Sequence, residues 1–222
     1  MSLVPVTLLV VAKAPVPGRA KTRLAAAVGD QVAAEIAAAA LLDTLDAVAA
    51  APVAARVVAL TGELDDAIDA AEIHGRLEPF SVIPQRGNDF ADRLTNAHAD
   101  AAALDGHPVL QIGMDTPQVT AELLADCGRQ LTEAPAVLGL ARDGGWWVLG
   151  VQSPALARCL RDVPMSRPDT GALTLKALCR NSVHVTLLEE LSDFDVVDDI
   201  AAVRADCSPA SRFAQTTRAA GL

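Results

Sequence analysis

The sequence predicts an α/β protein built on a single doubly wound, mostly parallel sheet that is flanked by helices. Two observations indicate this class. Short, continuously apolar runs recur along the chain, and longer stretches of helical character separate them, which is typical of parallel strands buried on both faces. With 222 residues, 51% of them hydrophobic, the chain can bury a sizeable core. It shows no internal repeat or linker, so we expect one domain over residues 1–222.

We expect the strands at the apolar runs. A strand that is covered by helices on both faces is apolar throughout and does not alternate between apolar and polar residues. The stretch Trp146–Val151 follows Gly144-Gly145 closely and breaks the alternation of strands and helices, so we expect an antiparallel insertion there. The predicted strands are Thr7–Ala12, Arg56–Leu60, Phe80–Pro84, Val109–Ile112, Ala136–Leu140, Trp146–Val151 and Val183–Leu187.

The helices are expected between these runs, and Ala-rich stretches such as Val32–Ala40 favour helix intrinsically. Ligands of doubly wound sheets bind beyond the carboxyl ends of the strands. The loops at 13–23, 113–118 and 141–145 are therefore the expected site. The predicted helices lie near Asp30–Ala50, Glu63–Ile73, Phe90–Leu104, Ala121–Leu131, Thr170–Cys179 and Asp198–Ala205.

The composition and the net charge exclude some classes of binding partner. Lys and Arg total 18 and Asp and Glu total 28, so the net charge of −10 argues against a broad nucleic-acid-binding face. The four cysteines lack zinc-binding spacing and are expected to be separate reduced thiols. The apolar run Leu3–Ala12 is too short to cross a bilayer, and no basic residue precedes it. We therefore expect no membrane insertion and a cytoplasmic protein.

The loop after the first predicted strand is basic. Residues 1–29 contain no acidic residue, and Gly18 permits close approach of the backbone to a ligand. A concentrated positive loop on an acidic chain is a candidate polyphosphate site, although a solvated loop paired with surface acids is the alternative. The loop is neither a P-loop nor a dinucleotide fingerprint. Its basic residues are Lys13, Arg19, Lys21 and Arg23.

A single carboxylate, Asp115, follows the predicted strand Val109–Ile112 and Gly113. This position lies beside the first loop in a parallel sheet. A carboxylate there could hold Mg²⁺, which takes one or two carboxylates together with substrate phosphates. Alternatively, Asp115 is a turn former before Thr116-Pro117.

The stretch Glu189–Asp199 holds six carboxylates in eleven residues. Asp198 or Asp199 fits the start of a helix, where negative charge is favourable. Asp193 and Asp195 alternate with Phe194, so their side chains point the same way. One of the two could be a second metal ligand, and solvated or capping residues are the alternative.

The segment Asp143–Trp147 contains two glycines, which allow unusual backbone angles or tight approach of a ligand. The tryptophans alternate in a strand, so we expect one in the core and the other free to line a pocket. A hairpin turn with packed aromatic residues is the alternative.

These segments, in this order, resemble a bacterial family called domain of unknown function 2064, which is glycosyltransferase-A-like. Its wider relatives are the nucleotide-diphospho-sugar transferases. Ala12–Leu24 is close to the family pattern Ala-Lys-x-Pro-x-Pro-Gly-x-x-Lys-Thr-Arg-Leu, and Gln85–Leu94 resembles Gln-x-Gly-x-x-Leu-x-x-Arg. Gly113–Pro117 stands where the family has Gly-x-Asp-x-Pro, and Asp143–Trp147 where it has Asp-Gly-Gly and two aromatics. Asp193–Asp199 parallels the family's acidic end segment.

The chain departs from the family pattern at two places. Met165-Ser166 replaces the family's Trp-Ser, and Val196-Val197 replaces Thr-Pro beside Asp195. The first departure concerns a contact on the acceptor side of the site, and the second concerns the local geometry of a metal ligand.

The resemblance implies a glycosyltransferase-A-like domain that uses Mg²⁺ or Mn²⁺. The implied metal ligands are Asp115 and Asp195, and the residues expected to take part in catalysis are Lys21, Asp115 and Asp143. The acceptor side would consist of Gly144, Gly145, Trp146 and Ser166. The residues expected to bind nucleotide or phosphate are Lys13, Gly18, Arg19, Lys21, Arg23, Gln85, Gly87 and Arg93.

The favoured hypothesis is nucleotidyl transfer from an NTP to a small phosphorylated or carboxylate acceptor. The very basic first loop suits a triphosphate better than a sugar nucleotide. Glycosyl transfer from a nucleotide sugar, with Asp143 as the base for an acceptor hydroxyl, remains open. So does a non-catalytic nucleotide-binding protein, because a fold does not determine a function.

Overall fold

The computed structural model describes residues 2–180 and 182–222. Within that part of the chain, seven strands form one sheet. They lie across it in the order β3 (Ser81–Pro84), β2 (Val53–Thr61), β1 (Val4–Lys13), β4 (Val109–Ile112), β6 (Trp146–Val151), β5 (Ala136–Ala141) and β7 (Val185–Leu191). All neighbouring strands are parallel except β6, which runs antiparallel to both β4 and β5. The expected fold class and the expected antiparallel insertion are both confirmed.

The strands follow the predicted apolar runs closely. The largest shift is in the last strand, which begins two residues later than expected and extends to Leu191. The observed bounds are β1 Val4–Lys13, β2 Val53–Thr61, β3 Ser81–Pro84, β4 Val109–Ile112, β5 Ala136–Ala141, β6 Trp146–Val151 and β7 Val185–Leu191.

Five of the predicted helices lie within a few residues of the observed ones. The expected helix Glu63–Ile73 is wrong: a 3₁₀ turn at Leu64–Asp66 comes first, and the α-helix starts only at Ala70. Two α-helices, α1 and α8, and a 3₁₀ helix at Leu156–Asp162 were not predicted. The α-helices are α1 Thr22–Val28, α2 Asp30–Ala50, α3 Ala70–Leu77, α4 Phe90–Asp105, α5 Ala121–Glu133, α6 Thr170–Arg180, α7 Val197–Asp206 and α8 Arg212–Ala219.

Three apolar clusters hold these elements together. One face of the sheet packs against α2, α3 and α5, and the opposite face packs against α4, α6 and the 3₁₀ helix. A third cluster lies outside the sheet, between α1, α2, α7 and α8, and its largest side chains are Phe194 and Phe213. No helix in the described ranges is both long enough and apolar enough to cross a membrane.

The topology brings the predicted loops together. Strands β1, β4, β5 and β7 all point the same way, because β4 and β5 are both antiparallel to β6 and β1 and β7 are parallel to β4 and β5, respectively. The segments that follow these four strands therefore meet at one edge of the sheet. These segments are the basic loop, the turn at Asp115, the turn at Asp143 and the acidic segment at Asp193–Asp195.

Candidate functional site

A cleft of about 630 Å³ opens at this edge of the sheet. Its walls come from the loops after β1, β4, β5 and β7, from the start of α4, and from residues 165–168 before α6. Ligands of open parallel sheets bind at this position. Charged side chains from four separate loops line it, so the cleft is the candidate site.

Lys21 lies at the centre of the charged part of the cleft. Its ammonium group donates a hydrogen bond to Asp115 Oδ2 at 3.1 Å and another to the carbonyl oxygen of Phe194. The same nitrogen lies 3.8 Å from Asp195 Oδ1 and 4.3 Å from the centre of the Phe194 ring. The Lys21 side chain is only 11% exposed. This one cation is therefore the buried counter-charge of carboxylates from two different strand ends.

The backbone of Lys21 is in the left-handed region, with φ 45° and ψ 49°. That conformation is unfavourable for a residue with a side chain, and such residues persist where the surrounding structure holds them. Here the contacts with Asp115 and Phe194 hold the side chain.

The loop that carries Asp195 is fixed from both sides. Arg23 Nη1 donates to Asp195 Oδ2 at 2.6 Å. Asp199 Oδ2 accepts hydrogen bonds from the backbone N–H groups of Asp195 and Val196, at 2.8 and 2.9 Å. Asp199 thus has the capping role expected at the start of α7, and it holds the metal-ligand candidate in place.

Asp193, the other carboxylate considered as a metal ligand, also lines the cleft. Burial, together with the negative charges of Asp115 and Asp143, raises its pKa to about 7, and the positive charge of Lys21 acts in the opposite direction. The acidic side chains of the cleft therefore interact with one another, although they come from three separate loops.

The side chain of Gln85 braces the sheet edge. Its Nε2 donates to the carbonyl oxygens of Ala12 and Ala59, at 2.8 and 2.9 Å. Gly87 lies close to the start of α4, where an added Cβ would fall 2.7 Å from Asp92 Cβ and 2.8 Å from Arg93 N. The predicted nucleotide-binding segment thus fixes the start of α4 against the ends of β1 and β2.

The α4 side of the cleft contains polar atoms without partners. The buried Nε of Arg93 and the buried Oε1 of Gln111 form no hydrogen bond within the described part of the chain. The Arg93 guanidinium lies 5.9 Å from the centre of the exposed Phe90 ring. Buried polar groups are normally hydrogen-bonded, so this wall has unmet capacity to bind a polar ligand.

The turn between β5 and β6 packs tightly against the start of α6. An added Cβ at Gly144 would lie 1.8 Å from the carbonyl oxygen of Pro168, so only glycine fits. Asp143 Oδ1 accepts the Gly145 N–H at 2.7 Å. Both tryptophans contribute to the cleft wall, but Trp147 is buried and donates to the carbonyl of Glu189, whereas Trp146 is half-buried. This division between the two tryptophans agrees with the alternation expected from the sequence.

Most of the predicted site residues meet in this cleft. Four do not line it: Gly18 and Arg19 lie outside its walls, and Gly87 and Gly144 serve backbone packing. The residues that do are Lys13, Lys21, Arg23, Gln85, Arg93, Asp115, Asp143, Gly145, Trp146, Ser166 and Asp195.

Sequence reasoning did not single out several further residues of the wall. Arg167 follows Met165-Ser166 but lies outside the matched Trp-Ser pattern, and Gln111 lies within an apolar strand, so neither was marked by a pattern of its own. The added wall residues with polar or aromatic side chains are Thr61, Phe90, Gln111, Arg167 and Thr170.

In the cleft, Asp115 and Asp195 offer two carboxylates to a hard divalent cation, so the remaining ligands would have to come from the substrate. Asp115 and Asp195 both approach the same ammonium nitrogen, so their oxygens converge on one cation. Within the described ranges, no group of three or more His, Cys, Asp or Glu side chains could hold a metal. Two carboxylates completed by substrate phosphates is a set that Mg²⁺ accepts.

Solved structures show the same fold. A protein of Desulfovibrio desulfuricans G20 that carries the provisional name nucleotide-diphospho-sugar transferase is 24% identical, with a TM-score of 0.84 over 99% of this chain and 95% of that one. Rv0371c of Mycobacterium tuberculosis H37Rv, solved with manganese, is 18% identical, with a TM-score of 0.54 over 90% and 97% of the two chains.

A third similar structure is a CMP:2-keto-3-deoxy-manno-octonic acid synthetase solved with CTP. It is 12% identical, with a TM-score of 0.53 over 90% of this chain and 97% of that one. No curated protein matches this chain significantly in sequence.

A family model described as "Uncharacterized protein conserved in bacteria (DUF2064)" matches residues 44–167. This range is more than half of the chain and includes the segments at Gln85, Asp115 and Asp143. The basic loop and the acidic segment at Asp195 lie outside it. The chain belongs to the family of bacterial proteins defined by domain of unknown function 2064.

Proposed function

We propose that this protein is a divalent-metal-dependent nucleotidyltransferase, which transfers a nucleoside monophosphate from an NTP to a small acceptor that bears a phosphate or carboxylate. One observation carries the proposal: the carboxylates Asp115 and Asp195 and the basic loop after β1 face one another in a single cleft. A triphosphate bound with Mg²⁺ or Mn²⁺ needs both features, carboxylates for the metal and cations for the phosphates.

The chemistry can be assigned to residues of this cleft. An acceptor oxygen attacks the α-phosphorus of the NTP, the bond from that phosphorus to the bridging oxygen breaks, and pyrophosphate leaves. Lys13, Lys21 and Arg23 line the cleft and would neutralise the charge that builds on pyrophosphate. A metal held by Asp115 and Asp195 would supply Lewis-acid stabilisation of phosphate oxygens. A phosphate or carboxylate acceptor is already ionised near neutral pH, so this reaction needs no general base.

Two of the similar structures support this proposal. One carries the name CMP:2-keto-3-deoxy-manno-octonic acid synthetase and was solved with CTP. Another was solved with manganese. Both share the fold and differ widely in sequence, so they support the class of ligand without identifying the base or the acceptor.

Glycosyl transfer from a nucleotide sugar is the second candidate, and one observation favours it. Asp143 lines the cleft on the side of Trp146 and Ser166, where it could accept a proton from an acceptor hydroxyl. The name of the Desulfovibrio desulfuricans protein agrees with this alternative.

The test is a panel of NTPs, nucleoside diphosphates and sugar nucleotides, each with and without Mg²⁺ or Mn²⁺, applied to the wild type and Asp115→Asn. A ligand at 100 times its dissociation constant stabilises the fold by about 2.7 kcal/mol, which thermal unfolding detects easily. We expect one NTP with metal to stabilise the wild type most and Asp115→Asn to lose the metal-dependent part. Asp126→Asn is the matched control, because the Asp126 side chain is exposed on α5, does not line the cleft and pairs with Arg129.

The products then separate the candidates. Pyrophosphate release with an anionic acceptor supports nucleotidyl transfer, and release of a nucleoside diphosphate supports glycosyl transfer. Nucleotide binding without turnover on any acceptor leaves the non-catalytic alternative. Unchanged metal-dependent binding by Asp115→Asn contradicts the shared metal site.

A further inference from the structure

The positive charge at the centre of the cleft is the ammonium group of Lys21. The Lys21 ammonium contacts Asp115, the Phe194 carbonyl and Asp195, and it lies against the Phe194 ring. An ammonium has three N–H donors, and two of them form hydrogen bonds here, with Asp115 Oδ2 and the Phe194 carbonyl, while Asp195 Oδ1 lies 3.8 Å from the nitrogen. The side chain is 11% exposed, whereas those of Asp115 and Asp195 are 35% and 39% exposed. The carboxylates face the cleft, and the more deeply buried Lys21 ammonium lies near both of them. The exposed Arg23 also pairs with Asp195, at 2.6 Å, but makes no ion pair with Asp115.

In this arrangement, Lys21 competes with any metal ion for the oxygens of Asp115 and Asp195. A divalent cation binds through carboxylate oxygens at short range, and Asp115 Oδ2 already accepts from Lys21 at 3.1 Å. Like charges that share a carboxylate pair repel each other, and the repulsion is strong where the charges are partly buried. A divalent cation can therefore bind the two carboxylates only if the Lys21 ammonium moves away or if the metal binds strongly enough to offset the repulsion.

We propose that Lys21 is a resident counter-cation of the Asp115–Asp195 pair, which a divalent metal displaces, so that metal entry frees the ammonium to bind substrate phosphate. This proposal rests on the proposed function, since it concerns the same metal and phosphate site. It assigns Lys21 two successive partners: carboxylates before the metal binds and a phosphate afterwards. The nucleotide-free protein then binds the metal weakly, and the metal and the nucleotide each increase the affinity for the other.

The proposal predicts effects of opposite sign from one substitution. Lys21→Met removes the competing charge, so we expect Mn²⁺ alone to bind at least roughly 10-fold more tightly than to the wild type. The same variant lacks the phosphate ligand, so the NTP should bind more weakly at saturating Mn²⁺. General damage to the site would instead weaken both. The metal-free variant should also unfold at a lower temperature, and Mn²⁺ should restore more of its stability than it adds to the wild type.

The experiment is a calorimetric titration of the nucleotide-free protein with Mn²⁺, repeated with the NTP. Lys13→Met is the matched control: it removes one positive charge from the same cleft, but Lys13 makes no ion pair with either carboxylate. We expect its Mn²⁺ affinity to change by less than about 3-fold. Lys21→Gln is the second variant, used if Lys21→Met does not fold, and it should shift Mn²⁺ affinity in the same direction.

The outcomes separate this proposal from the proposed function. Equal Mn²⁺ affinity in the wild type and Lys21→Met, with Asp115→Asn binding none, overturns the resident-cation role and leaves the metal site standing. Equal gains in Lys21→Met and Lys13→Met also overturn it, because they reflect net charge alone. No Mn²⁺ binding by any of these proteins, with or without the NTP, overturns both.

Discussion

Arg93 is a wall residue of the cleft that has an unsatisfied buried donor within the described chain. Its Nε is buried without a hydrogen-bond partner, and its guanidinium lies over the exposed ring of Phe90 at the cleft wall. A buried donor without a partner costs stability. A group on the ligand that accepts a hydrogen bond would remove that cost, which favours Arg93 as a nucleotide contact.

Replacing Arg93 by Met should therefore separate binding from folding. We expect nucleotide affinity to fall roughly 10- to 100-fold, the range for one charge-assisted hydrogen bond. The free energy of unfolding should stay the same or rise slightly, because an unpaired donor is removed. Calorimetric titration with the NTP and urea unfolding measure the two quantities.

Arg86→Met is the control for this substitution. Arg86 lies in the same segment but is exposed and pairs with Asp100 through two hydrogen bonds, at 2.5 and 3.1 Å. Its loss should leave nucleotide affinity unchanged. If the two variants bind nucleotide equally well, Arg93 is not a contact.

At the scale of the element, α4 combines a site-facing start with a buried middle. Asp89 caps its first turn by accepting the Asp92 N–H at 2.8 Å, and Leu94 and Ala97 pack on the sheet. His98 is fully buried one turn beyond Leu94. Burial lowers the pKa of His98 to about 4. The imidazole is therefore neutral in the folded protein near neutral pH.

This burial predicts a loss of stability in acid. The unfolded chain binds a proton at His98 near its ordinary pKa of 6.5, whereas the folded chain does so only near 4. The contribution is complete above pH 6.5 and is lost as the pH falls from there towards 4. We expect the free energy of unfolding to fall by about 2 to 3 kcal/mol between pH 7.5 and 4.5 from this residue alone.

The measurement is urea unfolding at both pH values for the wild type and His98→Gln. The side chain of Gln does not titrate, so the difference between the two proteins isolates His98 from the many carboxylates that also titrate. The difference should shrink as the pH falls. Parallel curves would show that the folded protein takes up the proton at His98 as readily as the unfolded chain does.

At the scale of the whole molecule, the site depends on a cluster built by the last helix. Phe213 of α8 packs on Phe194, with ring centres 4.9 Å apart and planes at 44°. Phe194 in turn contacts Lys21 through its carbonyl and its ring. The start of α8 is fixed to α2, because Asp43 accepts the backbone N–H groups of Arg212 and Phe213. A packed path therefore leads from the end of the chain to the central cation of the cleft.

Phe213→Ala should weaken both folding and binding. Truncating a fully buried Phe costs about 3 to 5 kcal/mol of unfolding free energy. We also expect weaker nucleotide binding, since the support beneath Phe194 and Lys21 is lost. Ile73→Ala is the control: Ile73 is equally buried in α3, but it does not line the cleft. Equal nucleotide affinity in the two variants, measured where both are folded, would contradict this path.

The fold and the position of the site were largely predictable from the sequence. Continuous apolar runs marked the strands, including β4 and β6 at their observed bounds. Parallel strands bring the ends of distant segments to one edge, so locating the runs was enough to place Lys13, Asp115 and Asp143 in one region. The helix expected at Glu63–Ile73 was wrong because its first part forms a 3₁₀ turn, and the polar helix α8 had no apolar run to mark it.

The sequence by itself therefore determined the class of fold, the loops that form the cleft and the kinds of charge that line it. These follow from local patterns, since hydrophobic periodicity and strand direction need no knowledge of distant contacts. Only the tertiary structure decided which partner each charge has. Lys21 contacts Asp115 and Phe194, which are 94 and 173 residues away in the sequence. Gln85 Nε2 donates both of its hydrogen bonds to backbone carbonyls. Such pairings depend on how loops from separate strands settle against one another, which no local pattern specifies.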